Sequence, residues 1–307
     1  MNFLRKIIKF ITNKQFRFSI MSSYGFYNRV PDKKYLKKVF ILNGGYVLNL
    51  DKPQSFNEKL NWIKINDRNP LYTRLADKYD AKKFVADNIG EKYVVRSFGV
   101  YNSVDDIDIG TLPNRFVIKA THDSSGAVIC KDKESFDLLS FKKKYSKIMR
   151  RNFYNRSREW PYKNITPRII VDELLEDNTF INKETTLIDY KFWCFNGEPK
   201  IMYVTVKSSE IFENFYDTNF NPVDINHGFP RHVPEFEKPK NFEKMLDLSR
   251  ILAKKTETSF VRIDFFNING SIFFGEFTFF DWGGLRPFSD KDTDLILGKM
   301  IKLPIDD

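Results

Sequence analysis

Cysteine is scarce in this 307-residue sequence, which contains only Cys130 and Cys194. Both lie in apolar runs that have the character of β-strands, so we predict two buried free thiols. Two such residues provide neither a disulfide framework nor a cysteine-based zinc site. We therefore expect a protein of a reducing compartment, the cytoplasm.

Long apolar segments are also missing from the sequence. No uninterrupted apolar run reaches the roughly 20 residues that a membrane-spanning helix requires. Near the N-terminus, Lys9 interrupts the apolar stretch that a secretory signal would need. We expect neither a transmembrane helix nor a signal peptide here.

Acidic residues are absent ahead of Asp32, although the chain has 40 of them against 50 lysines and arginines, for a formal net charge of +10. Residues 1–30 are thus a basic segment. Its apolar residues follow the spacing of one helical face: Leu4, Ile7, Ile8 and Ile11. Two interpretations remain open. The helix caps the fold, or residues 1–20 rest on an anionic membrane at its inner face.

The remaining sequence predicts an α+β fold with mixed sheets. At 42% hydrophobic and 29% charged residues the composition is globular. Ser55 and Glu58 have the spacing of a capping box at a helix start. Residues 69–90 predict one helix, closed by Gly90, and residues 242–256 predict another. Asn269-Gly270 predicts the turn of a hairpin near the C-terminus.

One predicted hairpin carries a charge where a buried strand normally has none. The stretch "FVIKATHDSSGAVICKD", residues 116–132, places Lys119 inside the first strand. A small polar loop ending at Gly126 follows, and then a second apolar strand. The pattern predicts the hairpin and leaves the partner of the lysine to be found.

The C-terminal hairpin also gathers charge on one face. Arg262 and Asp264 alternate with apolar residues, so both point to one side of a strand. Glu276 and Thr278 do the same on the partner strand. An isolated arginine–aspartate pair is commonly structural, but a second carboxylate on the adjacent strand favours a ligand. Carboxylate oxygens are ligands that Mg²⁺ accepts, usually together with phosphates.

Together these features resemble the ATP-grasp family, in which two α+β lobes clasp ATP. The likeness is closer to its TupA-like branch, found in teichuronic-acid and capsule gene clusters. It rests on ordered blocks from about residue 55 onward: "SFNEKLNWIKI", "LADKYDAKKFV", "LPNRFVIKATHDSSG", "REWPYKNITPRIIVDELLED", "DYKFWCFNGEPK" and "VRIDFFNINGSIFFGEFTFF".

The resemblance implies a domain organisation. A basic segment covers residues 1–30 and a helical region precedes the ATP-grasp fold at residues 31–110. The nucleotide lobe would cover residues 111–185, and a C-terminal lobe with the metal site residues 186–307.

The resemblance also implies the nucleotide-binding residues. Lys119 would bind the phosphates, and the loop with His122, Ser124, Ser125 and Gly126 would fold over them. The hinge would be Asp172-Glu173-Leu174-Leu175, with backbone groups at adenine and a carboxylate available to the ribose. Branch members commonly have Asn-His-Gly-Ser-Gly in the loop, so Thr121 and Asp123 depart from the pattern.

The metal and catalytic residues follow in the same way. Asp264 and Glu276 would hold Mg²⁺, and Arg262 would stabilise the charge that develops during transfer. Lys191, on a strand entering the second lobe, is a candidate for contacting phosphate or the acceptor carboxylate, with a surface ion pair as the alternative. Thr278 stands where ATP-grasp ligases commonly have Asn.

The implied activity is an ATP-dependent ligase that activates a carboxylate as an acyl phosphate and joins it to an amine. The expected substrates are a carboxylate-bearing sugar or amino acid and an amine, on a cell-surface polysaccharide precursor of the capsule, teichuronic-acid or O-antigen type. Two alternatives remain open: an ATP-dependent sugar kinase or other glycan transferase, and a non-catalytic membrane-associated assembly factor. A basic stretch with Phe153 and Tyr154 lacks a nucleic-acid motif, so we expect no nucleic-acid partner.

Overall fold

The chain folds around two antiparallel sheets. A computed structural model describes residues 3–124, 126–176, 187–207 and 210–306. The first sheet contains β1 (Ser97–Tyr101), β2 (Phe116–Ala120), β3 (Val128–Cys130) and β4 (Ile169–Glu173), in the order β1-β4-β2-β3. The second contains β5 (Asp189–Phe195), β6 (Glu198–Lys207), β7 (Ile211–Asp217), β8 (Pro222–Val223), β9 (Phe260–Ile268) and β10 (Ser271–Thr278), in the order β10-β9-β5-β6-β7-β8.

Helices pack around both sheets. They are α1 (Phe3–Thr12), α2 (Lys14–Ser23), α3 (Asp32–Leu42), α4 (Phe56–Asn66), α5 (Pro70–Ala76), α6 (Lys78–Ile89), α7 (Leu138–Ile148), α8 (Tyr154–Ser157), α9 (Phe242–Thr256) and α10 (Lys291–Met300). The expected α+β class and both predicted hairpins, β2–β3 and β9–β10, are confirmed. The expected boundaries of four regions stay predictions.

Among the residues that the structure describes, three large apolar clusters and a small one of Ala76, Tyr162 and Ile165 hold the fold together. The largest joins the six-stranded sheet to α4, α5, α6, α9 and α10, with Phe56 stacked on Trp193 at a ring-centroid distance of 5.2 Å. A second packs the four-stranded sheet against α7. A third joins α2 and α3 to Leu285 near the C-terminus. Cys130 and Cys194 are both buried and free, as predicted.

The N-terminal helices differ in how they contact the fold. On α2, Phe18 is buried against Tyr27 and Tyr35. The apolar face of α1 is not covered, because Leu4, Ile7, Ile8 and Ile11 are 40% to 66% exposed. Across the described residues, no helix combines the length and apolar character that crossing a bilayer requires.

The prediction of one helix over residues 69–90 is wrong. The helix breaks at Asp77, which has extended backbone angles and ends α5. Its side chain accepts hydrogen bonds from the backbone N–H groups of Tyr79 and Asp80, which caps the start of α6. Aspartate favours this N-terminal position because it satisfies amides that have no partner within the helix. The break leaves Lys78 as the first residue of α6.

Helix α4 is unusual because its polar residues are buried. Ser55 and Glu58 form the predicted capping box. Further along, the Asn61 Nδ2 donates to the carbonyl of Gly284 at 2.6 Å. The Lys64 ammonium donates to the carbonyls of Gly283 and of Ser157, the latter at 3.1 Å. This helix therefore holds the turn at residues 281–284, whose Gly283 and Gly284 both have positive φ.

Candidate active site

Three strands of the larger sheet bring the predicted catalytic and metal residues together. Arg262 and Asp264 lie two residues apart on β9, so both point to one face. Lys191 on β5 is directly opposite Asp264 in the strand register. Its Nζ donates to the Asp264 Oδ2 at 2.6 Å and pairs with the Asp189 Oδ2 at 3.2 Å. Lys191 is thus a buried member of the network rather than a surface pair.

A β-bulge delivers Glu276 to this face. The pairing of β10 with β9 shifts register between Phe274 and Phe277. Gly275 and Glu276 consequently oppose Asp264 together, the two-against-one arrangement of a bulge. A Cβ at Gly275 would lie 3.2 Å from the backbone oxygen of Asp264, a distance that favours glycine.

The guanidinium of Arg262 is the centre of the network. Its Nε and Nη2 each donate to one carboxylate oxygen of Asp264 at 2.7 Å. Nη2 also donates to the Glu276 Oε1 at 3.2 Å, while Nη1 donates to the Tyr203 hydroxyl at 3.2 Å and to Asp281. Burial alone would lower the pKa of Arg262, but Asp264 and the other negative groups raise it well above its ordinary value.

Lys78 is a member of the site that the sequence analysis did not identify. Its Nζ donates to the Glu276 Oε2 at 3.4 Å, and its backbone N–H donates to the carbonyl of Thr121 at 3.1 Å. It therefore connects the larger sheet to the loop that follows β2. The sequence did contain a signal for an acidic partner of Lys78. A lysine in the first turn of a helix is unfavourable, because it lies next to the positive end of the helix dipole. A carboxylate partner offsets that cost.

The charges of the site nearly cancel. Partial burial would raise the pKa of Glu276, but Lys78, Arg262 and Lys191 outweigh that effect and lower its pKa to about 2. The carboxylates exceed the cations by one: Asp189, Asp264, Glu276 and Asp281 against Lys78, Lys191 and Arg262. The ionised side chains of the network therefore carry a net charge of −1.

The lysine inside the first predicted hairpin has a buried partner. The Lys119 Nζ donates to the Asp172 Oδ2 at 3.0 Å. The other oxygen, Oδ1, accepts from Lys82 on α6 and from the Ser97 hydroxyl. Burial would raise the pKa of Asp172, yet the ammonium groups of Lys119 and Lys82 lower it below its ordinary value. Lys82, which sequence reasoning missed, has its own pKa lowered by burial to about 8.

These contacts bear on the expected hinge. The carboxylate of Asp172 is bound on both oxygens and only 1% exposed. Glu173 is exposed, and Leu174 and Leu175 are partly buried. Glu173 is therefore more accessible to a ribose hydroxyl than Asp172 is. The hinge assignment itself stays a prediction, as does the role of Lys119 at the phosphates.

Only part of the expected phosphate loop exposes polar side chains to the solvent. His122 is buried and its Nε2 lies 3.3 Å from the carbonyl of Ile148, and burial lowers its pKa. Ser124 is exposed. Gly126 has a φ of +92°, and a Cβ there would lie 2.8 Å from the Ile148 side chain. Ser125 lies outside the described residues.

A cavity of about 950 Å³ contacts much of this network. Its lining includes Lys191, Arg262, Glu276 and the loop residue Ser124. Thr278 and, from the turn at residues 281–284, Trp282 also face it. The cavity brings one residue of the expected phosphate loop together with the expected metal and catalytic residues.

The donor set fits a magnesium ion that binds with a nucleotide. Asp264 and Glu276 both contact one nitrogen of Arg262, so their oxygens converge. No cluster of three or more His, Cys, Asp or Glu suited to a metal occurs in the residues that the structure describes. Two carboxylates are nonetheless sufficient for Mg²⁺ when phosphates and water complete the octahedron. Lys78, Lys191 and Arg262 lie beside these carboxylates and would pair with the phosphates.

Comparison with known proteins identifies the class. The family model of TupA-like ATPgrasp proteins matches residues 58–302. The chain belongs to the TupA-like ATP-grasp family, which confirms the resemblance and the ATP-grasp fold. No curated protein sequence matches the chain significantly.

Solved ATP-grasp structures align with the chain at low identity. D-alanine–D-alanine ligase from Bacillus anthracis, complexed with ATP, is 12% identical with a TM-score of 0.38, over 66% of this chain and 53% of that one. D-alanine–D-alanine ligase from Helicobacter pylori is 15% identical with a TM-score of 0.40, over 74% of this chain and 61% of that one. N5-carboxyaminoimidazole synthetase from Staphylococcus aureus is 14% identical with a TM-score of 0.41, over 75% of this chain and 53% of that one. The chain thus spans 53% to 61% of the length of these proteins.

Proposed function

We propose that the chain is an ATP-dependent carboxylate–amine ligase that forms an amide on a cell-surface polysaccharide precursor. The observation that carries the proposal is the Arg262 guanidinium, which contacts Asp264 and Glu276 with a single nitrogen. Arg262, Glu276 and Lys191 line one cavity. Membership of the ATP-grasp family supports ATP as the nucleotide, and the TupA-like branch supports the polysaccharide substrate.

Each side chain has a task in the proposed reaction. Asp264 and Glu276 would hold Mg²⁺, which would neutralise charge on the nucleotide phosphates. Lys78, Arg262 and Lys191 keep Glu276 ionised by lowering its pKa. A substrate carboxylate oxygen attacks the terminal phosphorus of ATP, the bond to ADP breaks, and an acyl phosphate results. Arg262 lies beside the metal-binding carboxylates, where it stabilises the charge that develops on the transferring group.

The second half of the reaction forms the amide. An amine attacks the acyl carbon, and the carbon–oxygen bond to phosphate breaks with release of inorganic phosphate. The overall products are an amide, ADP and phosphate. A sugar kinase would instead produce ADP and a stable phosphoester without free phosphate.

The products distinguish these activities. We would incubate the full chain with Mg·ATP, D-glucuronate or D-galacturonate, and hydroxylamine, which captures an acyl phosphate as a hydroxamate. ADP, phosphate and hydroxamate are expected in equal amounts. Glu276→Gln should remove all three, whereas Glu243→Gln, a surface carboxylate paired with Lys238, should not. A phosphorylated sugar without free phosphate would indicate the kinase. Unchanged turnover in Glu276→Gln would refute the site.

The same proposal includes the inner membrane face as the place of action. Polysaccharide precursors are commonly assembled there, and the exposed apolar face of α1 carries Arg5, Lys6 and Lys9 beside it. Apolar area together with basic charge is what binds a helix to an anionic surface.

A further inference from the structure

A second polar cluster lies next to the Arg262 network. It consists of Glu213 on β7, His227 in the loop after β8, and Asp281 in the turn after β10. The His227 Nδ1 lies 3.6 Å from the Glu213 Oε2 and 4.0 Å from the Asp281 Oδ2. The three residues are separated in sequence and meet only in the folded chain.

The three facing atoms have no hydrogen-bond partner. The Glu213 Oε2, the His227 Nδ1 and the Asp281 Oδ2 are all buried and unpaired. Their residues are 3%, 4% and 3% exposed. A buried polar atom without a partner destabilises the folded chain, and a charged one does so more strongly. Three such atoms facing one another indicate a site that a ligand completes.

Neighbouring cations compensate only part of the negative charge. The other oxygen of Asp281 accepts from the Tyr203 hydroxyl at 3.0 Å and from Arg262. No lysine or arginine side chain that the structure describes forms an ion pair with Glu213. Arg286 stacks on Phe229, 3.8 Å from the ring centroid, donates to the carbonyl of His227, and interacts electrostatically with Glu213 and Asp281 without forming an ion pair with either. Glu213 therefore has a cation in its vicinity but no lysine or arginine in direct contact among the described residues.

Aromatic packing fixes the imidazole of His227. Its ring centroid lies 4.5 Å from that of Phe288, 5.4 Å from that of Trp193 and 5.5 Å from that of Phe215. Rings on several sides restrict the orientations that the imidazole can adopt. His227 and Glu213 also line the cavity that Arg262 and Glu276 share.

We propose that Glu213, His227 and Asp281 bind the protonated amino group of the attacking substrate. An ammonium group has three N–H donors. The cluster offers three acceptor atoms: the His227 Nδ1, and the Glu213 Oε2 and the Asp281 Oδ2 at 3.6 Å and 4.0 Å from it. Two acceptors 3.6 Å apart can both lie at hydrogen-bond distance from one nitrogen. The inference rests on the proposed ligase function and assigns the amine to the β7 side of the cavity.

The cluster also prepares the amine for attack. An ammonium nitrogen has no free electron pair, so one proton must first leave. The proton passes to the His227 Nδ1, and Glu213 stabilises the resulting imidazolium. The freed electron pair faces His227, so the neutral amine turns away from the cluster before it attacks the acyl carbon. The carbon–oxygen bond to phosphate breaks, and the leaving phosphate accepts the second proton from nitrogen, which yields the amide.

Binding measurements with matched pairs test this subsite. We would titrate the full chain, saturated with Mg·ADP, with glucosamine and glucose, D-alanine and D-lactate, and ethanolamine and ethylene glycol. At least one amine should bind tenfold or more tightly than its hydroxyl partner. Glu213→Gln and His227→Gln should remove that preference. The control variants are Glu237→Gln, at an exposed carboxylate, and His232→Gln, in the same loop.

Stability gives an independent readout. A structural Glu213 would make Glu213→Gln less stable, whereas an uncompensated buried carboxylate predicts a variant with a melting temperature at or above that of the wild type. Equal affinity for amine and hydroxyl partners, or amine binding unchanged in both variants, would overturn the subsite. Failure of Mg·ADP itself to bind would overturn the proposed function instead. The two failures can be distinguished, because the amine titrations can also be carried out without nucleotide.

Discussion

The ammonium of Lys119 on β2 lies 3.0 Å from the carboxylate of Asp172 on β4, and the two residues are 53 positions apart in the chain. Asp172 is nearly inaccessible, while the Lys119 side chain is 29% exposed. The otherwise apolar strand β2 therefore carries a partly exposed cation that a ligand could contact. This contact explains how the hairpin tolerates a charge within its first strand.

Substitution of Lys119 tests its expected role at the phosphates. Lys119→Ala leaves Lys82 to neutralise Asp172, so we expect a loss of only about 1–3 kcal/mol of folding free energy. The rise in melting temperature caused by Mg·ATP should become smaller. A tenfold weaker affinity removes about 1.4 kcal/mol of the stabilisation that the bound nucleotide gives to the folded state. Lys131→Ala, an exposed lysine of the same hairpin, is the control. An undiminished shift in Lys119→Ala would contradict phosphate binding.

The lowered pKa of Asp172 predicts an acid-sensitive contribution to stability. Its folded-state pKa lies below the ordinary value of 3.8. The unfolded chain therefore binds the proton first as the pH falls, and the contribution is complete above pH 3.8 and lost below it. Urea unfolding of the wild type and of Asp172→Asn at pH 7, 5, 4 and 3 measures this. The stability difference should be smaller at pH 3 than at pH 5, and a difference that does not fall between these two pH values would contradict it.

Lys64 should support the turn that borders the cavity. Lys64→Met removes the donor to the carbonyls of Gly283 and Ser157 and leaves them unpaired in a buried region. We expect a loss of about 1–3 kcal/mol in the free energy of unfolding and reduced turnover, because Trp282 and Gly283 line the cavity. Lys34→Met, at an exposed lysine of α3, should change neither. Wild-type behaviour of Lys64→Met in both assays would exclude this support.

The exposed stripe of α1 predicts reversible membrane binding. Ile7→Ser, Ile8→Ser and Ile11→Ser combined should abolish co-sedimentation with vesicles that contain phosphatidylglycerol, and leave the melting temperature unchanged. High salt should release the wild type, because each basic residue contributes roughly 1 kcal/mol at an anionic surface.

Deletion of residues 1–20 is a poorer test of membrane binding, since it also removes the buried Phe18. The apolar residues of α1 can be replaced without touching that cluster. If the triple variant lost stability and kept vesicle binding, α1 would be a cap of the fold rather than an anchor.

The sequence revealed local features well. The Ser55–Glu58 capping box, the Asn269-Gly270 turn and the alternation of Arg262 with Asp264 all depend on neighbours within a few positions. Each was therefore readable from spacing. The break at Asp77 was missed because the apolar pattern continues across it, and only the cap geometry ends the helix.

Residues with distant partners could not be predicted in this way. Lys78 meets Glu276 across 198 positions, and Lys82 meets Asp172 across 90. His227 lies in a stretch rich in glycine and proline, which is typical of a loop. Its burial depends on Trp193, Phe215 and Phe288, which come from three separate parts of the chain. Spacing carries no information about such contacts.

The buried polar face of α4 has a consequence for the timing of folding. Lys59 donates to the carbonyl of Ile301, 242 positions away, and the backbone of Asn57 donates to Asp294, 237 positions away. During synthesis this helix emerges early, and its polar groups remain in contact with water until the distant segment has left the ribosome. The polar face of α4 therefore gains these partners only after residues 294–301 have been synthesised. The same helix holds the turn that borders the cavity, so a partly synthesised chain lacks a complete cavity.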